Sequence, residues 1–173
     1  GNLIWNSVGI FTDPIAIGTG AGITSQGVSA VAIGTNAGNN NQGINSIAIG
    51  EYSGNVSQGA RAISMGKSSG KNNQGDRSIA IGYRAGETFQ STFSIALGPR
   101  SGQSTQGTKA IAIGYRSGQN NQQTYTIAMG FNSGAYSQGA NSIAMGKAAG
   151  LRSQGANSIA IGGAAGYTGQ GTY

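Results

Sequence analysis

A four-residue motif, aliphatic-Ala/Ser-aliphatic-Gly, begins at Ile15, Val31, Ile47, Ile63, Ile79, Ile95, Ile111, Ile127, Ile143 and Ile159. The starts are evenly spaced, sixteen positions apart, with no insertion or deletion. A fixed period of this kind means one structural unit repeated and stacked, so it constrains the fold before composition does. Slots are numbered here from the first aliphatic residue. Slot 2 is Ala in nine copies and Ser64 in the other, and slot 3 is Ile, Leu97 or Met (Met65, Met129, Met145). Slots 4 and 8 are always Gly, slot 7 is always Ala or Ser, and slot 12 is always Gln. Slot 13 is Gly except at Ser91 and Gln123.

A repeat of sixteen is too short for a helical hairpin, and no 3.6-residue pattern is present. Slots 16 to 4 alternate small and large, which is the period of a β-strand. The glycines that bracket this run supply turns. A second short strand is expected in slots 12 to 16 or 9 to 12. The pattern therefore predicts an all-β chain, a parallel β-solenoid in which each repeat is one coil. Ten coils stacked at about 4.8 Å make a rod roughly 50 Å long. The solenoid is expected over residues 14–173.

In a strand, slots 1 and 3 face one way and slots 16, 2 and 4 the other. The second face holds only Ala, Ser, Gly, Thr126 and Pro14. So short a coil, with two or more turns, is thin, with room inside for Ala and Ser and little else. The branched residues then point outward, as a stripe that includes Ile47, Ile49, Ile79, Ile81, Ile111, Ile113, Ile159 and Ile161. A soluble monomer does not tolerate so long an apolar stripe, which marks an interface. A cyclic assembly closes around it, and three copies are expected. The opposite arrangement, aliphatics filling the coil and alanines outside, is the alternative.

The glutamine column, including Gln42, Gln58, Gln74, Gln106, Gln138 and Gln154, is expected to be structural. Stacked amides can bond to one another as in amide ladders, or they can satisfy backbone groups of the turns. A ligand-binding glutamine in every coil is the less economical reading.

Composition excludes much chemistry. The chain has 33 Gly among 173 residues, no Cys and no His, and its only acids are Asp13, Glu51, Asp76 and Glu87. The commonest general base and metal ligand is thus missing, and a carboxylate pair has few members to draw on. Gly18-Thr19-Gly20-Ala21-Gly22 has the look of a phosphate loop, but it is a product of the repeat and no Lys-Ser/Thr follows. Calcium-binding solenoids need Asp at fixed slots, and none recurs. Asn55-Val56-Ser57 is a single glycosylation sequon. No catalytic residue, metal or cofactor is expected, and the chain is read as not an enzyme. A fibre-borne polysaccharide depolymerase is the enzymatic alternative. No apolar run is long enough to span a bilayer as a helix, and neither membrane insertion nor nucleic-acid binding is expected. The net charge of +6 favours anionic partners only weakly.

Variation concentrates in a few slots. Slots 5 and 6 supply Tyr52, Tyr83, Arg84, Arg100, Tyr115, Arg116, Phe131 and Lys147. Equal slots on successive coils form rows along the rod, so these residues make basic-aromatic stripes suited to carbohydrate stacking and acidic glycan groups. A solvated surface that keeps the rod soluble is the plain alternative. An ice-binding face would need a regular row of Thr or similar groups, and slot 11 is interrupted by Phe89 and Gly169.

Three copies of the motif, Asn45-Ser46-Ile47-Ala48-Ile49-Gly50, Asn141-Ser142-Ile143-Ala144-Met145-Gly146 and Asn157-Ser158-Ile159-Ala160-Ile161-Gly162, resemble the head repeat of trimeric autotransporter adhesins, the YadA-like head. The resemblance covers residues 14–173. It implies a left-handed parallel β-roll, a homotrimer, small residues inside each coil and aliphatics toward the threefold axis. The present coil is longer than that family's by a residue or two and adds the fixed Gln. Segments such as Gly34-Thr35-Asn36-Ala37-Gly38 with Asn41-Gln42-Gly43 resemble the longer variant repeats of phage and large DNA virus fibre and surface proteins. An extracellular place, on a virion or a bacterial surface, follows from either resemblance.

Residues 1–13, GNLIWNSVGIFTD, fall outside the repeat and hold the only Trp. They are expected to form an N-terminal cap, with Trp5 and Phe11 covering the open first coil. No matching cap follows Gly162, and the abrupt ends suggest a piece of a longer protein. The expected function is a structural and adhesive fibre segment that binds host-surface carbohydrate, or another anionic surface, by multivalent contacts. An ice-binding solenoid or a passive spacer are the alternatives.

Overall fold

Each coil is built from two three-residue strands and two tight turns. The computed structural model describes residues 14–171; Trp5 and Phe11, the expected cap, lie outside them. Strand 1 of each coil occupies slots 1–3, from Ile15–Ile17 to Ile159–Ile161, and strand 2 occupies slots 10–12, from Thr24–Gln26 to Thr168–Gln170. The second strand thus falls within the earlier of the two expected windows. Strand 1 of every coil pairs in parallel with its neighbours, as does strand 2, giving two ten-stranded sheets. The register is strict: Ile111 faces Ile127, Ala112 faces Ala128 and Ile113 faces Met129, while Gln122 faces Gln138. The described residues therefore form a parallel β-solenoid of ten coils.

Two turns close the coil. The slot 7 N–H donates to the slot 4 carbonyl, as in Ser117 to Gly114 at 3.4 Å, and the slot 16 N–H to the slot 13 carbonyl, as in Ala110 to Gly107 at 3.2 Å. The second central residue of each turn, slot 6 or slot 15, has φ near +55°, the pattern of a type II turn. Pro99, at the first central position, suits that turn because its ring presets φ. Slot 11, inside strand 2, also lies at positive φ. Asn and Ser are frequent at these three slots, yet Phe89, Phe93 and Tyr125 adopt the same conformation. Left-handed backbone costs an ordinary L residue about 1–2 kcal/mol. Here it is held by the bonds from coil to coil, such as Phe93 N–H to the Asp76 carbonyl at 3.0 Å.

The core is a narrow slot. Ala32, Ala48, Ala80, Ala96, Ala112 and Ala128 of slot 2 are wholly buried, as is Ser64; so are Ser46, Ser78 and Thr126 of slot 16. The glutamines are the largest fully buried side chains. Slots 1 and 3 are half-buried to exposed, 39% at Met65 and Ile81 in the middle of the rod and more on its end coils. Small residues fill the coil and branched ones lie outside it, because two strands joined by four-residue turns stand too close for branched side chains. Ala112→Leu is accordingly expected to destabilise the rod by about 2–3 kcal/mol through overpacking, readable as a lower urea midpoint. An equal stability for the two proteins would mean the interior has room to spare.

Candidate functional site

The polar, charged and aromatic side chains of the described residues lie in columns along the rod. The innermost column is slot 12. Each Gln reaches across the coil, and its Nε2 donates to the slot 1 carbonyl: Gln42 to Val31, Gln58 to Ile47, Gln74 to Ile63 and Gln138 to Ile127 at 2.8 Å, and Gln106 to Ile95 at 2.7 Å. Gln154 does the same to Ile143 at 2.8 Å. From Gln58 to Gln154 the Nε2 also lies near a slot 16 carbonyl, the next amide, or both. Amide-to-amide contacts run from Gln58 through Gln74 and Gln90 to Gln106 at 3.1–3.2 Å, and again from Gln122 to Gln138 at 3.3 Å. Between these runs Gln106 instead lies 3.2 Å from the Ala110 carbonyl. The Oε1 atoms of Gln42, Gln58, Gln122 and Gln154 are buried without a donor. Both roles expected for the column, stacking and backbone satisfaction, are thus present in one side chain.

This glutamine also explains the glycine of slot 8. A Cβ on Gly102 would lie 2.7 Å from the Gln106 Oε1. Slots 2, 8 and 12 are one packing unit: a long amide lies in a groove left open by Ala, or Ser64, in slot 2 and Gly in slot 8.

The outer faces divide into rows. The aliphatic stripe of slots 1 and 3, with Ile47, Ile49, Ile79, Ile81, Ile111, Ile113, Ile159 and Ile161, covers the outside of the first sheet. Ile159 and Ile161, on the last described coil, are 61% and 65% exposed. Slot 5 is exposed beside it and carries Tyr83, Tyr115, Phe131 and Lys147; slot 6 carries Tyr52, Arg84, Arg100 and Arg116 and is half-buried. The Tyr115 and Phe131 rings stack with centroids 5.3 Å apart, Arg116 lies over Tyr115, and Lys71 lies 5.3 Å over Tyr52. The rows are therefore brought together as expected from equal slots, but not all of their charges are free. Arg84 Nε donates to the Glu87 carboxylate at 2.7 Å, which raises the guanidinium pKa above its ordinary value. Lys67 donates to Glu51 at 2.9 Å, and that bond raises its pKa. Both cations stay charged at neutral pH. Among the described residues Arg100 makes no ion pair.

A shallow hollow of about 730 Å³, not expected from the repeat, lies beside the second sheet, lined by Thr105, Asn121, Gln123, Thr124, Ser137 and Ser153. Its slot 11 residues are those weighed above only as an interrupted ice-binding row. Among the described residues no group of three or more Asp or Glu is placed to hold a metal, and no helix is long and apolar enough to cross a membrane.

The described residues form a thin, repetitive solenoid with a polar-amide core and an outward aliphatic stripe. The model of the YadA head domain repeat matches the chain in two copies, over residues 74–85 and 123–149. The chain thus carries YadA-head-like repeats, and its sixteen-residue spacing fits the solenoid coil. The second match contains Asn141-Ser142-Ile143-Ala144-Met145-Gly146, one of the three segments that carried the resemblance. Comparison with curated proteins and with solved structures finds no match. The fold is a β-solenoid, and two stretches of it are similar to the YadA head repeat. YadA head domains form homotrimers, and such adhesins are displayed outside the cell.

Proposed function

We propose that the chain is a rigid homotrimeric segment of a surface fibre or adhesin. It projects from a bacterial cell or a virion and contributes weak, repeated contacts to host-surface carbohydrate. The observation that carries this reading is the aliphatic stripe. Two largely half-exposed apolar side chains per coil, over ten coils, leave a face whose burial is worth about 1 kcal/mol per side chain. A lone rod would expose that face to water; three rods sharing an axis cover it. Ligand contact falls to the half-buried Arg84, Arg100 and Arg116, with Arg84 alongside its Glu87 partner; the three sit on successive coils at about 4.8 Å spacing and repeat on three faces. Spacing of this kind turns weak contacts into avidity.

Ile113→Lys tests the stripe. On a monomer this is a surface change worth less than about 0.5 kcal/mol. In a trimer it places three unpaired ammonium groups on the axis, at a cost of several kcal/mol. The thermal midpoint is expected to fall by about 10 °C, and that of the parent protein to rise with protein concentration because association and folding are coupled. A midpoint unmoved by either change would contradict the assembly. For the ligand, a glycan array probed with the assembled protein is expected to light up sialylated or sulfated glycans, and to lose that signal in the Arg84→Ser, Arg100→Ser, Arg116→Ser variant. A flat array would leave the rod as a spacer.

A further inference from the structure

The slot 5 row changes character along the rod. On four successive coils it carries Tyr83, Pro99, Tyr115 and Phe131, with Lys67 before them and Lys147 after. Tyr115 and Phe131 stack with centroids 5.3 Å apart and planes 18° from parallel, close to the coil spacing of about 4.8 Å. Their rings therefore lie across the rod, one per coil, with faces turned along its axis. At Pro99 that ladder loses a rung. A pyrrolidine ring closes on its own backbone nitrogen and stays near the chain, whereas a tyrosine ring reaches out past it. Tyr83 and Tyr115, two coils or about 10 Å apart, thus stand on either side of a notch floored by Pro99. All three are exposed, Tyr83 at 46% and Tyr115 at 39%.

The turns around the notch are fixed. Pro99 sits at the first central position of its turn, where its ring presets φ. Arg100 N–H donates to the Tyr83 carbonyl at 2.8 Å, and Arg116 N–H to the Pro99 carbonyl at 3.0 Å, so the three levels are held in register. The notch exists before any ligand arrives, and a preformed site keeps the cost of binding low.

The charge beside it is unanswered. After Glu87 the chain has five cations, Arg100, Lys109, Arg116, Lys147 and Arg152, and no acid. Of the slot 6 arginines, Arg84 is bound to Glu87 at 2.7 Å. Arg100, on the same coil as Pro99, makes no ion pair among the described residues. Arg116 lies over the Tyr115 ring at 5.2 Å, and its Nε is buried with no hydrogen-bond partner. A shielded donor left unmet is uncommon in a folded chain, and an acceptor brought from outside would complete it.

We infer that the Pro99 notch is a binding site for one anionic sugar residue, its ring between Tyr83 and Tyr115 and its carboxylate or sulfate on Arg100 and Arg116. This rests on the carbohydrate reading above and names where in the arginine row the sugar sits. Carbon atoms touch at about 3.5–4.0 Å, so two ring contacts take up most of a gap of about 10 Å. That leaves room for one saturated ring and not for two. A guanidinium meets a carboxylate or a sulfate through paired N–H groups. The neighbouring levels each lack one feature: Arg84 has its own carboxylate, and Phe131 fills its level with a ring and has Asn132 beside it.

Calorimetric titration of the full chain with 6-sulfated N-acetyllactosamine, sialyllactose and uncharged lactose tests the site. One or both of the charged sugars should bind, and lactose at least tenfold more weakly. Pro99→Tyr restores the missing rung, at a turn position that Tyr already occupies on both neighbouring coils, and should weaken the charged sugar at least tenfold. Arg100→Ser should do the same. Arg152→Ser removes an equal charge from the second sheet and should change the affinity less than twofold. A loss through Arg100→Ser with none through Pro99→Tyr would overturn the notch while leaving the arginines as ligand contacts. Equal losses through Arg100→Ser and Arg152→Ser would reduce the binding to diffuse charge and overturn it too. A Pro99→Tyr protein that sediments at a lower mass than the parent would place the row between copies and not at a ligand. A chain that binds none of the three sugars would remove the carbohydrate reading and the notch with it.

Discussion

Gly114→Ala is expected to cost about 2–6 kcal/mol, the largest effect of any single methyl group in this rod, because backbone strain and overpacking add there. Its φ is +120°, where a side chain carries about 1–3 kcal/mol of strain. Its Cβ would also stand 2.7 Å from the Gly130 carbonyl oxygen and 3.0 Å from its carbon, forcing adjacent coils apart against the 2.8 Å bond from Gly130 N–H to the Ile113 carbonyl. Overpacking of this kind adds about 1–3 kcal/mol. Gly162 separates the two terms. It has φ +113° and nothing within 4 Å of a Cβ, so Gly162→Ala should carry the strain alone, about 1–3 kcal/mol. Urea unfolding at one protein concentration reads both. Equal losses at the two sites would show that stacking distance does not select glycine in slot 4.

The second large effect is at Gln106, which is wholly buried. Leu has nearly the same volume, so Gln106→Leu keeps the packing and removes the bonds. The carbonyl of Ile95 loses its 2.7 Å donor, that of Ala110 its 3.2 Å donor, and Gln90 Nε2 its 3.1 Å acceptor. The Ala110 carbonyl keeps the Ile95 N–H at 2.9 Å and Gln90 Nε2 keeps the Ile79 carbonyl at 2.8 Å, so the loss should be about 1–3 kcal/mol. Gln106→Glu gives the same question a pH axis. A protonated carboxyl can still donate to a carbonyl, whereas a carboxylate is buried against oxygen. Burial raises the folded-state pKa above the unfolded value of about 4.3. The variant should therefore be most stable below that value and lose stability as pH rises from there through the folded pKa. A Glu variant with no pH dependence beyond that of the parent would mean that the column is not bonded as described.

Much of this architecture was legible because a repeat tests each slot ten times over. Slot 2 never departs from Ala or Ser, while slots 5, 9 and 10 change freely, and that contrast told inside from outside. Gln in slot 12 was legible as structural for the same reason, though not its reach to the slot 1 carbonyl, which depends on the groove that the slot 8 glycine opens. Strand 2 was harder to place. Its outward residues include Thr24, Val56, Tyr136 and Arg152, with no shared propensity, because the strand is held by pairing with its neighbours rather than by local preference. The left-handed conformations of Phe89, Phe93 and Tyr125 were not legible at all. Their residue types argue against them, and only the fixed coil-to-coil bonds impose them. The surface rows were legible as rows, but their roles were not, since an exposed Tyr reads alike whether it meets a glycan or a second copy.

The proposed assembly holds that coils too slender to shelter their own aliphatics have them covered by other copies. Sedimentation equilibrium at micromolar concentration weighs that directly, against a sequence mass of 17.2 kDa per chain. Three times that mass is the predicted result. A β-rich species that stays at the mass of one chain throughout the concentration range would contradict it.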